Sequence, residues 1–178
     1  MQKKSQIIRI VFLLILTTSC NFKKNEFGAK DSQLDNDYAL EIELQYKISN
    51  DDIFEVYYTN SDKENFSSKK ILRNKVFGSK NYKKVSFQFP KGEFPNKIRL
   101  DLGENRKQNC VRIKNIKIKY REKEIIISRQ LLPHFFVTNK YLEYNSSNGV
   151  FRSSIVNNGY DPFITSSALL RQKIKLEF

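Results

Sequence analysis

Four residues carry side chains whose types and spacing could do chemistry: Tyr57, Arg99, Asp101 and Arg112. Each falls at an outward position of a stretch that alternates apolar with polar residues. Ile98, Leu100 and Leu102 share one face of an extended segment, so Arg99 and Asp101 project together from the other. Tyr57 stands between Val56 and Tyr58, and Arg112 between Val111 and Ile113, in the same manner. An aromatic platform for the C–H side of a pyranose, with planar guanidinium and carboxylate groups for its hydroxyls, is the equipment of a sugar site. Arg99 and Asp101 equally suit a structural ion pair on a sheet surface, worth about 0.2–1 kcal/mol. On sequence both readings stay open.

Other chemistry is poorly supplied. His134 is the only histidine, and Cys20 and Cys110 are the only cysteines, which gives no metal-ligand spacing. The carboxylate pairs Asp51/Asp52 and Glu41/Glu43 fall in a turn and on a wet strand face, and nothing sets either pair across a glycosidase-like cleft. A nucleophile elbow, a zinc motif and a phosphate loop are all lacking. Asp31, Asp35 and Asp37 miss the glycine turn and terminal glutamate of a calcium loop. Tyr160-Asp161-Pro162-Phe163, after Asn157-Asn158-Gly159, is a turn-forming string that can also line a loop site. The expectation is a binding protein with no catalytic residues, cofactor, metal or specific nucleic-acid partner.

The elements that must position these groups are strands. Period-two alternation predicts strands over 38–48 and 53–59, joined at Ser49-Asn50-Asp51-Asp52 as a hairpin, and further strands over 70–77, 82–89 and 98–102. Val111 and Ile113 are odd-numbered whereas Ile116, Ile118 and Tyr120 are even, so a bulge is expected near Lys114-Asn115. A short strand over 124–128 follows a turn at 121–123. Residues 129–178 change texture: an apolar run at 131–136, short strands at 141–144 and 150–156, and alternation over 173–178 to the terminus. The predicted architecture is an all-β antiparallel sandwich of jelly-roll type over 38–128, with a small C-terminal extension of short strands, 129–178, packed on it.

The N-terminus has a different character. Lys3, Lys4 and Arg9 precede an unbroken apolar run from Ile10 to Leu16, too short for the roughly 20 residues a bilayer-spanning helix needs. Leu16-Thr17-Thr18-Ser19-Cys20 resembles the bacterial lipobox, although the commonest form of that motif has its aliphatic residue at the place Thr17 holds. The resemblance implies a lipoprotein signal peptide over 1–19 and acylation of Cys20, with two or three chains that anchor stably. Residues 20–37 are then a polar tether, and Cys110 the one remaining thiol, expected to be a small buried residue. Asn21 after Cys20, in place of aspartate, implies the outer membrane of the cell envelope. The formal net charge of +13, three units of it in the leader, suits glycans or anionic envelope polymers as partners.

The strings 52–58, Lys97-Ile98-Arg99-Leu100-Asp101-Leu102-Gly103 and 111–118 resemble, in order and spacing, jelly-roll modules of the galactose-binding-like kind. That resemblance covers about 38–128 and implies carbohydrate or surface attachment only loosely, because the fold hosts many functions. Two functions follow as expectations: an envelope-anchored lipoprotein that binds glycan without catalysis, or a structural lipoprotein whose basic surface engages anionic polymers or a protein partner.

Overall fold

Alternation decides which side of each strand is dry. In β1 (Glu41–Lys47) the buried residues include Ile42, Leu44 and Tyr46, and in β2 (Asp52–Thr59) they include Phe54, Val56 and Tyr58. The computed structural model describes residues 38–178; the leader, Cys20 and the tether lie outside the described residues. The remaining strands are β3 (Ile71–Val76), β4 (Lys83–Gln88), β5 (Lys97–Asp101), β6 (Cys110–Tyr120), β7 (Lys123–Ser128), β8 (Phe136–Thr138), β9 (Leu142–Asn145), β10 (Val150–Ser153) and β11 (Phe163–Ser166). A short helix α1 (Leu132–Phe135) precedes β8, and helix α2 (Ala168–Glu177) closes the chain.

One sheet runs β4-β1-β6-β10-β9, with β7 also paired to β6, and the other runs β3-β2-β5-β11-β8. Every pairing is antiparallel, and the inward residues of both sheets merge into one apolar core. The expected all-β sandwich is therefore what the chain forms. The buried apolar residues described for that core run from Leu40 to Ile174 and lie within one compact unit, Leu34–Phe178, that is separate from the N-terminal segment.

The hairpin expected between β1 and β2 does not form. Residues 48–51 instead carry the chain from one sheet to the other, as residues 77–82 do between β3 and β4. The reason lies in Gln108, almost wholly buried, whose side-chain Oε1 accepts from the backbone N–H of Ser49 (3.1 Å) and Asn50 (2.9 Å). Those donors find their acceptor in a distant loop, so the turn has no need of a facing strand. The two crossings lie together, since Ser79 N donates to Ile48 O at 2.8 Å.

The bulge sits where the slip in alternation placed it. Gln45 pairs with Asn115 and Tyr46 with Ile113, leaving Lys114 without a partner across from β1. The short strands of the C-terminal segment join both sheets: β10 pairs with β6, and β11 lies between β5 and β8. Residues 173–178, expected as a strand, are helical up to Glu177. Ser167 caps α2 by accepting from Leu170 N at 3.3 Å, and Leu170, Ile174 and Phe178 recur every four residues on its packed side. Ile174 and Phe178 fit both periods. Leu176 decides between them, because a strand would turn it inward with Ile174 and the helix leaves it 86% exposed.

Candidate functional site

The outer face of the β3-β2-β5-β11 sheet gathers the polar groups. Register aligns Arg73, Glu55, Asp101 and Phe163 in one row across four strands, and Ile71, Tyr57, Arg99 and Thr165 in the next. Neighbouring strands lie roughly 4.8 Å apart, close enough for these side chains to meet.

Arg99 is the centre. Its Nε and Nη2 donate to Asp101 Oδ1 and Oδ2, both at 2.6 Å, and Nη2 also donates to Asp161 Oδ1 at 2.7 Å. The two-residue spacing on one strand face allows the bidentate pair, which is the stronger arginine–carboxylate geometry. The guanidinium lies 3.7 Å from the ring centroid of Phe163 and 5.1 Å from that of Tyr57. Three of its five N–H donors are committed to carboxylates, and among the described residues Nη1 makes no hydrogen bond. Beside it Glu55, 5% exposed, is clamped by Arg73 and accepts from Tyr57 OH at 3.0 Å. A buried carboxylate needs both partners to offset its desolvation.

These surroundings shift the protonation equilibria. Burial pushes the Asp101 carboxyl up to about 6, with the charges of Asp161 and Glu55 adding to it and Arg99 opposing. Burial and the hydrogen bond to Glu55 push the Tyr57 hydroxyl up to about 12. Burial works against the Arg99 cation, yet the hydrogen bond to Asp101 and the charges of Asp101 and Asp161 hold it above its ordinary value.

Two loops rim the face. Gly103 has φ +120°, and a Cβ there would run into the Asp52 carboxylate, so only glycine lets the chain turn past it. Asp52 Oδ1 then accepts from Glu104 N (2.8 Å) and Asn105 N (3.1 Å), fixing the loop that holds Glu104 and Arg106. In the second loop Val156 and Gly159 exchange backbone hydrogen bonds around Asn157 (φ 49°) and Asn158 (φ 62°), two left-handed residues in succession that reverse the chain. The reversal delivers Tyr160, whose hydroxyl sits 3.0 Å from Gln108 O, and Asp161. The rims and the sheet face enclose a concavity of about 360 Å³, lined among others by Tyr57, Arg73, Arg99, Asp101, Tyr160 and Asp161.

Tyr57, Arg99 and Asp101 thus come together, and Asp161 joins them from the turn-forming string. Arg112 does not. It sits on β6 in the opposite sheet, paired with Lys47 and Val150. Parity places a side chain outward without saying from which sheet. Sequence reasoning passes over Glu55, Arg73 and Glu104, although Glu55 is two residues from Tyr57 on the same strand face. Cys110 is a half-buried free thiol, less enclosed than expected, and His134 is exposed on α1. The chain matches no family model, no curated protein and no solved structure. The likeness to galactose-binding-like modules accordingly rests on the sequence strings alone.

Proposed function

We propose that the protein binds glycan without catalysis, through the concavity centred on Arg99, as a lipoprotein anchored in the bacterial envelope at Cys20. The observation that carries this reading is the convergence of Tyr57, Arg99, Asp101 and Asp161 on one opening. Its volume of about 360 Å³ and its lining of charged and hydroxyl-bearing side chains suit one sugar ring. Asp161, with a half-exposed side chain, offers an acceptor at the rim, the Nη1 pair of Arg99 offers donors, and the Tyr57 ring offers a stacking surface. Both oxygens of Asp101 are held by Arg99, so its raised carboxyl serves as a fixed acceptor for the guanidinium. That arrangement favours binding over proton transfer.

A glycan array followed by calorimetry on the best ligand tests the reading. Asp161→Asn and Tyr57→Ala should each weaken binding about tenfold, the loss of roughly one charged hydrogen bond or one stacking contact, while circular dichroism stays unchanged. Capture of many polyanions alike, abolished by salt and indifferent to both substitutions, would replace this proposal with the basic-surface alternative.

A further inference from the structure

The crossing between β3 and β4 exposes two aromatic rings that no packing requires to be outside. Phe77 is 47% exposed and Tyr82 39% exposed, at the two ends of the loop 77–82. Lys75 Nζ and Lys83 Nζ stand 5.3 and 5.6 Å from the Phe77 ring centroid. Lys80 lies exposed between the two rings in sequence. Among the described residues none of Lys75, Lys80 and Lys83 forms an ion pair, whereas neighbouring Lys84 is taken by Glu43 at 3.1 Å. The carboxylate that touches the loop is Asp51, and it is occupied with the backbone N–H of Gly78 at 2.9 Å.

The loop is held in place. Phe77 N donates to Tyr46 OH at 3.2 Å, Ser79 N to Ile48 O at 2.8 Å, and Asn81 N to Ser79 Oγ at 3.0 Å. A Cβ at Gly78 would fall 2.5 Å from Ser49 O, so the backbone is seated directly on the neighbouring crossing. The pinned backbone fixes where the two rings leave the chain. The entropy of presenting them is already spent in folding.

We propose that loop 77–82 is a membrane-docking surface for an anionic phospholipid bilayer, with Phe77 and Tyr82 entering the headgroup layer and Lys75, Lys80 and Lys83 meeting phosphate. Half-exposed rings bordered by lysines match that interface in chemistry, because the rings find an apolar phase while the ammonium groups stay among charges. A single nucleic-acid strand also takes rings and basic groups together, so an oligonucleotide is the competing outcome of the test. The proposal is independent of acylation at Cys20 and of the glycan site.

The test uses residues 38–178 and vesicles of phosphatidylcholine with or without phosphatidylglycerol. The chain has no tryptophan, so Phe77→Trp gives a single reporter. Its emission should shift to the blue with phosphatidylglycerol vesicles, while Ile126→Trp, a control at an exposed β7 position, should not shift. Co-sedimentation of the otherwise native domain should fall roughly fivefold for each lysine changed to glutamine, on the order of a hundredfold for all three, and should also fall in Phe77→Ser/Tyr82→Ser. Equal binding to neutral and anionic vesicles, binding indifferent to these substitutions, or an unshifted emission from the Phe77→Trp variant would overturn the proposal. So would retention by an oligonucleotide but not by vesicles.

Discussion

Replacing Asp101 with asparagine isolates the most strongly shifted carboxyl of the site. Its folded value of about 6 lies above the ordinary 3.8, so between those limits the folded chain keeps a proton that the unfolded chain has lost. Stability from this group is therefore fully present below about pH 4 and declines as pH rises through 6. A displacement of that size corresponds to about 3 kcal/mol in full, of which roughly 2 kcal/mol falls between pH 4 and 7. Asparagine cannot titrate, so the stability of the native domain minus that of Asp101→Asn should be about 2 kcal/mol larger at pH 4 than at pH 7.

Urea unfolding of residues 38–178 at several pH values between 4 and 7 measures this directly. The comparison removes the opposing trend of Glu43. Burial alone would push that carboxyl up, but the hydrogen bond from Lys84 and the charges of Lys119, Lys84 and Lys117 bring it below its ordinary value. Its contribution is lost as pH falls, yet it is common to both proteins and cancels in the difference. Parallel pH profiles for the two proteins would refute the reasoning and mean that Arg99 outweighs burial at Asp101.

The remaining expectations concern the scaffold. Gly103→Ala should destabilise the domain by about 2 kcal/mol, from the unfavourable φ together with the contact to Asp52, and should weaken glycan binding because the Glu104 rim moves; thermal melts and the array check the two parts. Gln108→Ala strips the acceptor from Ser49 N and Asn50 N and should cost about 1–3 kcal/mol in urea unfolding. Ser167→Ala removes the cap of α2 and should cost about 1 kcal/mol, with faster amide exchange confined to the first turn of the helix.

What can be read from the chain is local parity. Alternation locates the first seven strands, and the slip near Lys114-Asn115 locates a bulge that the register puts at Lys114. Arg99 and Asp101 are legible as partners because two-residue spacing on a strand fixes a shared face without knowledge of anything else. Sheet membership is not legible, since it depends on which strands meet across the core. That is why Arg112, outward by the same rule as Tyr57, lands on the opposite sheet. It is also why β1 and β2 read as a hairpin while Gln108, fifty-eight residues from Asn50, holds the crossing open. The C-terminal helix is obscured by a coincidence of periods at Ile174 and Phe178, which Ser167 and its run of helix formers resolve. Asp161 reaches Arg99 through a turn whose consequence depends on where the preceding strand ends.

The two proposed surfaces are mechanically connected through one dipeptide. Asp51 accepts from Gly78 N through its side chain and from Asn105 Nδ2 through its carbonyl, while Asp52 Oδ1 holds Glu104 N and Asn105 N. Loop 77–82 and one rim of the concavity are thus tied to consecutive residues at the same end of the sandwich. A bilayer seated on Phe77 and Tyr82 would bring that rim toward the headgroup layer, where glycans borne on lipids begin. On the proposed readings the two surfaces would cooperate through a shared end of one sandwich, without a change of conformation. They also remain separable by substitution, because none of Lys75, Lys80 and Lys83 hydrogen-bonds to Arg99 or its carboxylates.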